Sequence, residues 1–177
     1  MAATGQGRAS ARVIVAGHGE TNVATGIPVL DHLLTLLAEY ASFDLALEVE
    51  PAGDAETEIT AAARSLGEAL AQPLRGDDVR GHGSAVIPVD EALAHVVLEA
   101  SGRPLVVSNV DLSQARIAGL AGDLAARFLD ELAAAAALTV HVRLVEGRDT
   151  QHVLEAIFKA LGVALAQACR PRRREEQ

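Results

Sequence analysis

DTQHVLEAIFKALGVALAQ, residues 149–167, decides how the rest of the chain is read. Val153, Leu154, Ile157, Phe158, Leu161, Val163 and Leu165 recur at helical spacing, which predicts a buried helix starting on Asp149 or Thr150. Its first turns carry His152 and Glu155, three residues apart and so on one helical face. Histidine and glutamate at that spacing serve as metal ligands in helical bundles. The stretch has an echo at 54–72, DAETEITAAARSLGEALAQ, with eight of nineteen positions identical and the same Leu-Gly-x-Ala-Leu-Ala-Gln ending. The echo carries no histidine.

Working outward, each copy of the helix follows a helix and a strand. Residues 139–146 (TVHVRLVE) alternate as a half-buried strand does, and 121–138 form an alanine-rich helix. In the first half, 43–49 is the matching strand and 30–40 the matching helix. Upstream, 9–16 and 21–27 read as two strands joined by a hairpin-type turn, Gly17-His18-Gly19-Glu20. After a Gly- and Pro-rich connector at 73–83, residues 84–100 read as one long bent strand or a strand pair, with a helical reading around Asp90 to Ala92 left open. Residues 105–110 form another strand beyond the Ser101-Gly102-Arg103-Pro104 turn. Each half is thus strand, strand, helix, strand, helix. The expected fold is α+β: duplicated ββαβα half-domains with a helix bundle sandwiched between two mixed β-sheets. One domain would span 9–170 as repeats of about 9–75 and 82–169, with a disordered start at 1–8 and a charged tail at 171–177.

Composition narrows the function. Half the chain is hydrophobic but only 2% is aromatic, so the core must be built from small aliphatic contacts. A formal charge of −9 argues against a nucleic-acid binder, which gains affinity by neutralising phosphates. The basic tail, Arg170 to Arg174, is open to two readings, a solvated terminus or a phosphate-binding arm. A lone Cys169 excludes an intrachain disulfide and a cysteine-based zinc site, which fits a reducing cytoplasm. There is no signal-peptide pattern and no charge-free apolar run of about 20 residues, so neither export nor membrane spanning is expected.

Of six histidines, His18 and His82 sit in turn-rich segments, His95 in an apolar run, and His141 on the polar side of its strand. His32 follows Asp31 at a helix start, where an aspartate is suited to orienting an imidazole. His152 with Glu155 could share a divalent cation such as manganese, which accepts both ligand types.

On TGIPVLDHLLTLLAEYASFDL (25–45), IPVDEALAHVVLEASGRPLVVSN (87–109) and LTVHVRLVEGRDTQHVLEAIFKALGVALAQA (138–168), the chain resembles the imidazoleglycerol-phosphate dehydratase family of histidine biosynthesis. The resemblance implies the duplicated ββαβα fold, a homo-oligomer built from trimers into a 24-subunit shell, and active sites at subunit interfaces. It implies dehydration of imidazole glycerol phosphate to imidazole acetol phosphate, with manganese holding the imidazole ring and a glutamate moving protons. The family's Asp-His is kept as Asp31-His32, and its second His-His-x-x-Glu falls on Gln151, His152 and Glu155. Its first His-His-x-x-Glu falls on Glu56, Thr57 and Thr60, and a histidine of the third helix on Arg127. Arg103 and Lys159 match substrate-binding positions, Arg80 is the nearest match to a further arginine, and Leu36 stands in place of a glutamine. The Ser-x-Lys-Gly phosphate loop and the N-terminal Arg-x-Thr-x-Glu-Thr have no counterpart. The resemblance therefore implies at most one manganese ion, on His32, His152 and Glu155, with Glu155 also catalytic. Two functions follow: a divergent cytoplasmic dehydratase acting on a small phosphorylated imidazole, or an inactive structural or regulatory paralogue that keeps the assembly.

Overall fold

The computed structural model describes residues 7–111, 116–117 and 120–172; the readings of a disordered start and a charged tail fall largely outside that range. The elements are β1 (Ala9–Ile14), β2 (Thr21–Ala24), α1 (Pro28–Ala41), β3 (Asp44–Val49) and α2 (Ala55–Leu74) in the first half. The second half has β4 (His82–Val89), β5 (Ala92–Glu99), β6 (Leu105–Ser108), β7 (Arg116–Ile117), β8 (Leu120–Ala121), α3 (Gly122–Ala136), β9 (Thr139–Glu146) and α4 (Thr150–Cys169).

Local chemistry sets the helix ends. Asp54 caps α2 by accepting from the Thr57 amide at 2.8 Å, and Asp149 caps α4 by accepting from the Gln151 and His152 amides at 2.9 and 3.2 Å. Pro28 opens α1, a position where its missing N–H costs nothing. Helices α1 and α3 end on Ser42 and Ala137, both left-handed at φ 55, and Phe43 and Leu138 then return amides to Ala38 and Ala133. These pairs are ninety-five residues apart, so the repeat extends to backbone detail.

The sheets repeat as well. The first has strand order β1-β3-β2, with β1 antiparallel and β2 parallel to the central β3. The second has order β4-β5-β9-β6, in which β5 and β6 flank β9 in the same two senses. The second half thus contains the ββαβα unit plus an additional edge strand, β4, and the short β7–β8 pair. Residues 84–100 belong to a strand pair, and the helical reading at Asp90 fails because Asp90 turns the hairpin at φ 49.

The expected hairpin at Gly17 to Glu20 is also corrected: β1 and β2 do not pair with each other but with opposite edges of β3. The intervening turn is held by Asp44, whose carboxylate accepts from the His18 and Glu20 amides at 2.8 and 3.0 Å. Those bonds, His18 first, hold the Asp44 carboxyl below its usual range.

All four helices lie between the two sheets. Helix α2 packs on β1 and β3, α4 on β4 and β5, and the layers meet where α1 crosses α4 and α2 crosses α3. Two glycines permit those crossings. A Cβ on Gly162 would run into the Leu37 carbonyl, and one on Gly67 would lie 2.9 Å from the Leu132 carbonyl. Gly67 and Gly162 are the glycines of the repeated Leu-Gly-x-Ala-Leu-Ala-Gln segment. All three phenylalanines are fully buried, Phe128 and Phe158 with ring centroids 5.5 Å apart across α3 and α4. Helix α4 is long and apolar enough to cross a membrane by length and composition, but it lies mostly inside the fold and is the core helix of the second half. Burial pushes the Cys169 thiol up to about 11, which leaves it unreactive.

Candidate functional site

The close crossing of α1 and α4 brings their first turns together. His32 on α1 donates from Nε2 to Glu155 Oε1 on α4 at 2.8 Å, and Gln151 Nε2 donates to the same oxygen at 3.3 Å. Glu155 is only 14% exposed, so this carboxylate sits at the floor of the cluster, while His32 is half exposed. One turn earlier, His152 is turned towards the β4–β5 hairpin. Its Nδ1 lies 2.7 Å from Glu91 Oε2 and its Nε2 3.3 Å from Asp90 Oδ2.

Glu91 is bound from two sides. Its Oε1 accepts from the Asp149 and Arg148 amides at 2.8 and 3.3 Å, just before α4 begins. The Asp149 amide, then the His152 side chain, pull the Glu91 carboxyl down to about 2. The bond to Glu91 in turn raises His152 above its ordinary value, favouring the imidazolium.

The structure thus joins His32 to Glu155, whereas His152, one turn before Glu155 on α4, is engaged by Glu91 and Asp90 of the β4–β5 hairpin. It does not use Asp31 to orient His32. The Asp31 carboxylate instead accepts from the Thr25 amide at 2.8 Å and from the Thr25 hydroxyl, securing the only buried polar residue among the described residues. Lys159 lies one turn beyond Glu155, with Nζ 5.0 Å from the centre of the Tyr40 ring. Arg103 lies in the β5–β6 turn, where its carbonyl accepts from Thr139 Oγ1 at 3.0 Å. That turn is at the far end of β5 from Glu91, roughly 25 Å away at 3.3 Å per strand residue. Sequence reading passed over Asp90 and Glu91 as partners of His152. The available signal was the Asp-Glu-Ala-Leu segment, which lies within the matched stretch.

A second group gathers at that far end. Among the described residues, Arg80, His82, Arg170, Pro171 and Arg172 line a cavity of about 750 Å³, with no carboxylate among them. The segments are stitched together: the Arg80 amide donates to the Arg170 carbonyl at 2.8 Å, and Arg172 Nε to the Val79 carbonyl at 2.9 Å. Helix α4 runs between this basic end and the His152 end, which are roughly 27 Å apart at 1.5 Å per residue.

Elsewhere in the bundle, α2 of the first half and α3 of the second form the repeat-related cluster. Arg127 Nη2 donates to Glu56 Oε1 at 2.9 Å, and Arg64 Nε to Glu131 Oε2 at 3.0 Å. Glu56, Thr57 and Thr60 line a cavity of about 820 Å³ with Arg8, Arg64 and Ser65.

The family profile for imidazoleglycerol-phosphate dehydratase matches residues 25–165. The chain belongs to that family. Among relatives of the same name, the dehydratase of Syntrophobacter fumaroxidans is 40% identical over 171 residues, covering 94% of this chain and 86% of its own. That of Pelobacter propionicus is 37% identical over 159 residues, covering 87% and 80%. The crystal structure of the Pyrococcus furiosus dehydratase superposes with a TM-score of 0.85 at 28% identity, covering 98% of this chain and 95% of that one. The Staphylococcus aureus dehydratase gives 0.82 at 30% identity, covering 91% and 92%. The family is that of imidazoleglycerol-phosphate dehydratase of histidine biosynthesis, and the two-sheet, four-helix architecture is its fold.

Of the positions that the family resemblance marks as manganese ligands, the α1–α4 cluster keeps three donor side chains and the α2–α3 cluster one. His32, His152 and Glu155 supply two imidazoles and a carboxylate, the chemistry of an open three-ligand site. At the repeat-related positions stand one carboxylate, Glu56, and two neutral hydroxyls, with a guanidinium already on the carboxylate. No three histidine, cysteine or acidic side chains among the described residues are already gathered around one point.

Proposed function

We propose that this chain acts as a dehydratase-family protein of the cytoplasm that binds a small phosphorylated imidazole between copies of itself, with at most one manganese ion per chain. The observation that carries this reading is the His32–Glu155 pair with His152 beside it at the start of α4. A divalent ion there would act as a Lewis acid on the substrate imidazole. The protein's own part is to orient the ring and, at the Glu155 carboxylate, to take up and return a proton.

The basic end of α4 supports the phosphate half of the substrate. Arg80, Arg170, Arg172 and Arg103 supply forked donors suited to phosphate oxygens. A molecule of a few ångströms cannot reach both ends of α4 in one chain, so binding calls for the basic end of one copy to face the His152 end of another. The outer face of the second sheet supports such assembly: Val86, Val97, Leu105, Val107 and Val145 are all exposed on it.

Two measurements test the proposal. Equilibrium dialysis against manganese should give about one equivalent per chain, lost in His152→Ala; no retention at any manganese level would end the one-ion reading. Turnover of imidazole glycerol phosphate should be slow and abolished by Glu155→Gln. The second reading, an inactive paralogue that keeps the assembly, is favoured by the Arg127–Glu56 pair in the other half-site. Substrate binding without turnover would select it.

A further inference from the structure

A shift of ninety-five residues lays the α2–α3 cluster over the α1–α4 cluster position by position. Arg127 falls on His32, Glu56 on Gln151, Thr57 on His152, and Thr60 on Glu155. Each cluster has a cross-helix contact from the equivalent donor to a different acceptor position: Arg127 on α3 meets Glu56, the counterpart of Gln151, at 2.9 Å, and His32 on α1 meets Glu155, the counterpart of Thr60, at 2.8 Å. We propose that the Arg127 guanidinium is the resident cation of the α2–α3 half-site, holding its one carboxylate and closing that half-site to divalent metal.

Three features carry this. First, a guanidinium cannot lose its proton in a protein, so Arg127 stays cationic and can never become a ligand, whereas the imidazole at the equivalent position can do both. Second, divalent ions of this class need carboxylate or imidazole donors, and Glu56 is the only such group at the three positions that match Gln151, His152 and Glu155. Third, of the charged groups lining the cavity beside Glu56, Asp54 is taken up in capping α2 and Arg64 is held by Glu131, while Arg127 is the cation in contact with Glu56 itself. The Arg127–Glu56 pair is exposed, 43% and 60% at the side chains, and contributes little to stability. Its effect is on which cation the half-site accepts, and metal count reads that directly.

The inference uses the α1–α4 donors as the pattern of a cation site, and so rests on that reading for the design of its test. Copy the donors across in two steps: T57H/T60E with Arg127 retained, and T57H/T60E/R127H. Manganese bound per chain is then counted by equilibrium dialysis with electron paramagnetic resonance of the free ion, and circular dichroism checks that each variant is folded. The double variant should hold no more manganese than the parent chain, and the triple variant one equivalent more. A double variant that gains the extra ion as well as the triple does would overturn the proposal, since the guanidinium would then block nothing. A triple variant with no gain would overturn it too, because removing Arg127 would have opened nothing. The parent's own count reports separately on the α1–α4 cluster: one ion in the parent with no gain in the triple faults Arg127 alone.

Discussion

Replacing Gly162 with alanine puts a methyl group against the Leu37 carbonyl where α1 and α4 cross. The substitution has two opposed effects. Alanine in a helix interior is favoured over glycine by about 0.8–1.0 kcal/mol. Overpacking a filled contact costs about 1–3 kcal/mol, and here the obstacle is backbone, which cannot rotate aside, so the upper end applies. The net is a loss of about 2 kcal/mol for G162A, which at this chain length lowers Tm by roughly 4–8 °C. Gly67→Ala is the internal control. Its Cβ would meet the Ala135 methyl at 2.6 Å and the Leu132 carbonyl at 2.9 Å, a milder conflict, so the helix gain offsets more of it and the net loss is about 1 kcal/mol. Urea unfolding followed by far-ultraviolet circular dichroism, at one fixed protein concentration, should rank the chains as parent, G67A, then G162A. G162A should also weaken manganese retention, because spreading α1 from α4 separates His32 from Glu155. A G162A chain as stable as the parent, or less perturbed than G67A, would refute the account of the crossing.

Two further predictions concern the helix starts and the pH response. Asp54→Ala and Asp149→Ala should each cost about 1 kcal/mol in urea unfolding through loss of the cap, and only D149A should also reduce manganese binding. Glu91 is lowered to about 2 from 4.5, so its contribution is present above pH 4.5 and is lost as the pH falls towards about 2. His152 is raised above 6.5, so its contribution is present below 6.5 and is lost as the pH rises through its folded value. The unfolding midpoint of the parent relative to Glu91→Gln should therefore be greatest between those limits and narrow on both sides. A difference that stays flat across the range would contradict the Glu91–His152 coupling.

The repeat was legible in the sequence because both copies of the helix must fill the same groove with the same small residues, Gly67 and Gly162 above all. Strand order was less legible. The segments around Gly17 read as a hairpin, yet both strands pair with β3, and the Asp44 carboxylate that binds the turn lies more than twenty residues on. Local pattern marks a strand but does not name its partner. The same limit applied to the site. Helical geometry fixes that His152 and Glu155 share a face of α4, but the His32–Glu155 contact joins two helices and came within reach only through the family resemblance. Asp31 was misassigned because its neighbour in the chain, His32, is not its partner in space; Thr25 is. Glu91 meets His152, and Arg80 meets Arg170, only once the hairpin and the connector have folded back, and no short-range pattern encodes that.

The polarity of α4, basic at its end and imidazole-bearing at its start, has a genetic consequence. If a site is shared between copies, a chain damaged at one end still carries a sound other end. E155Q and a chain altered at both Arg170 and Arg172 would each be barren alone, yet co-assembled they would restore some whole sites by pairing the intact end of one with the intact end of the other. Function would then belong to the population of chains rather than to any single one, and two defective alleles expressed together would complement.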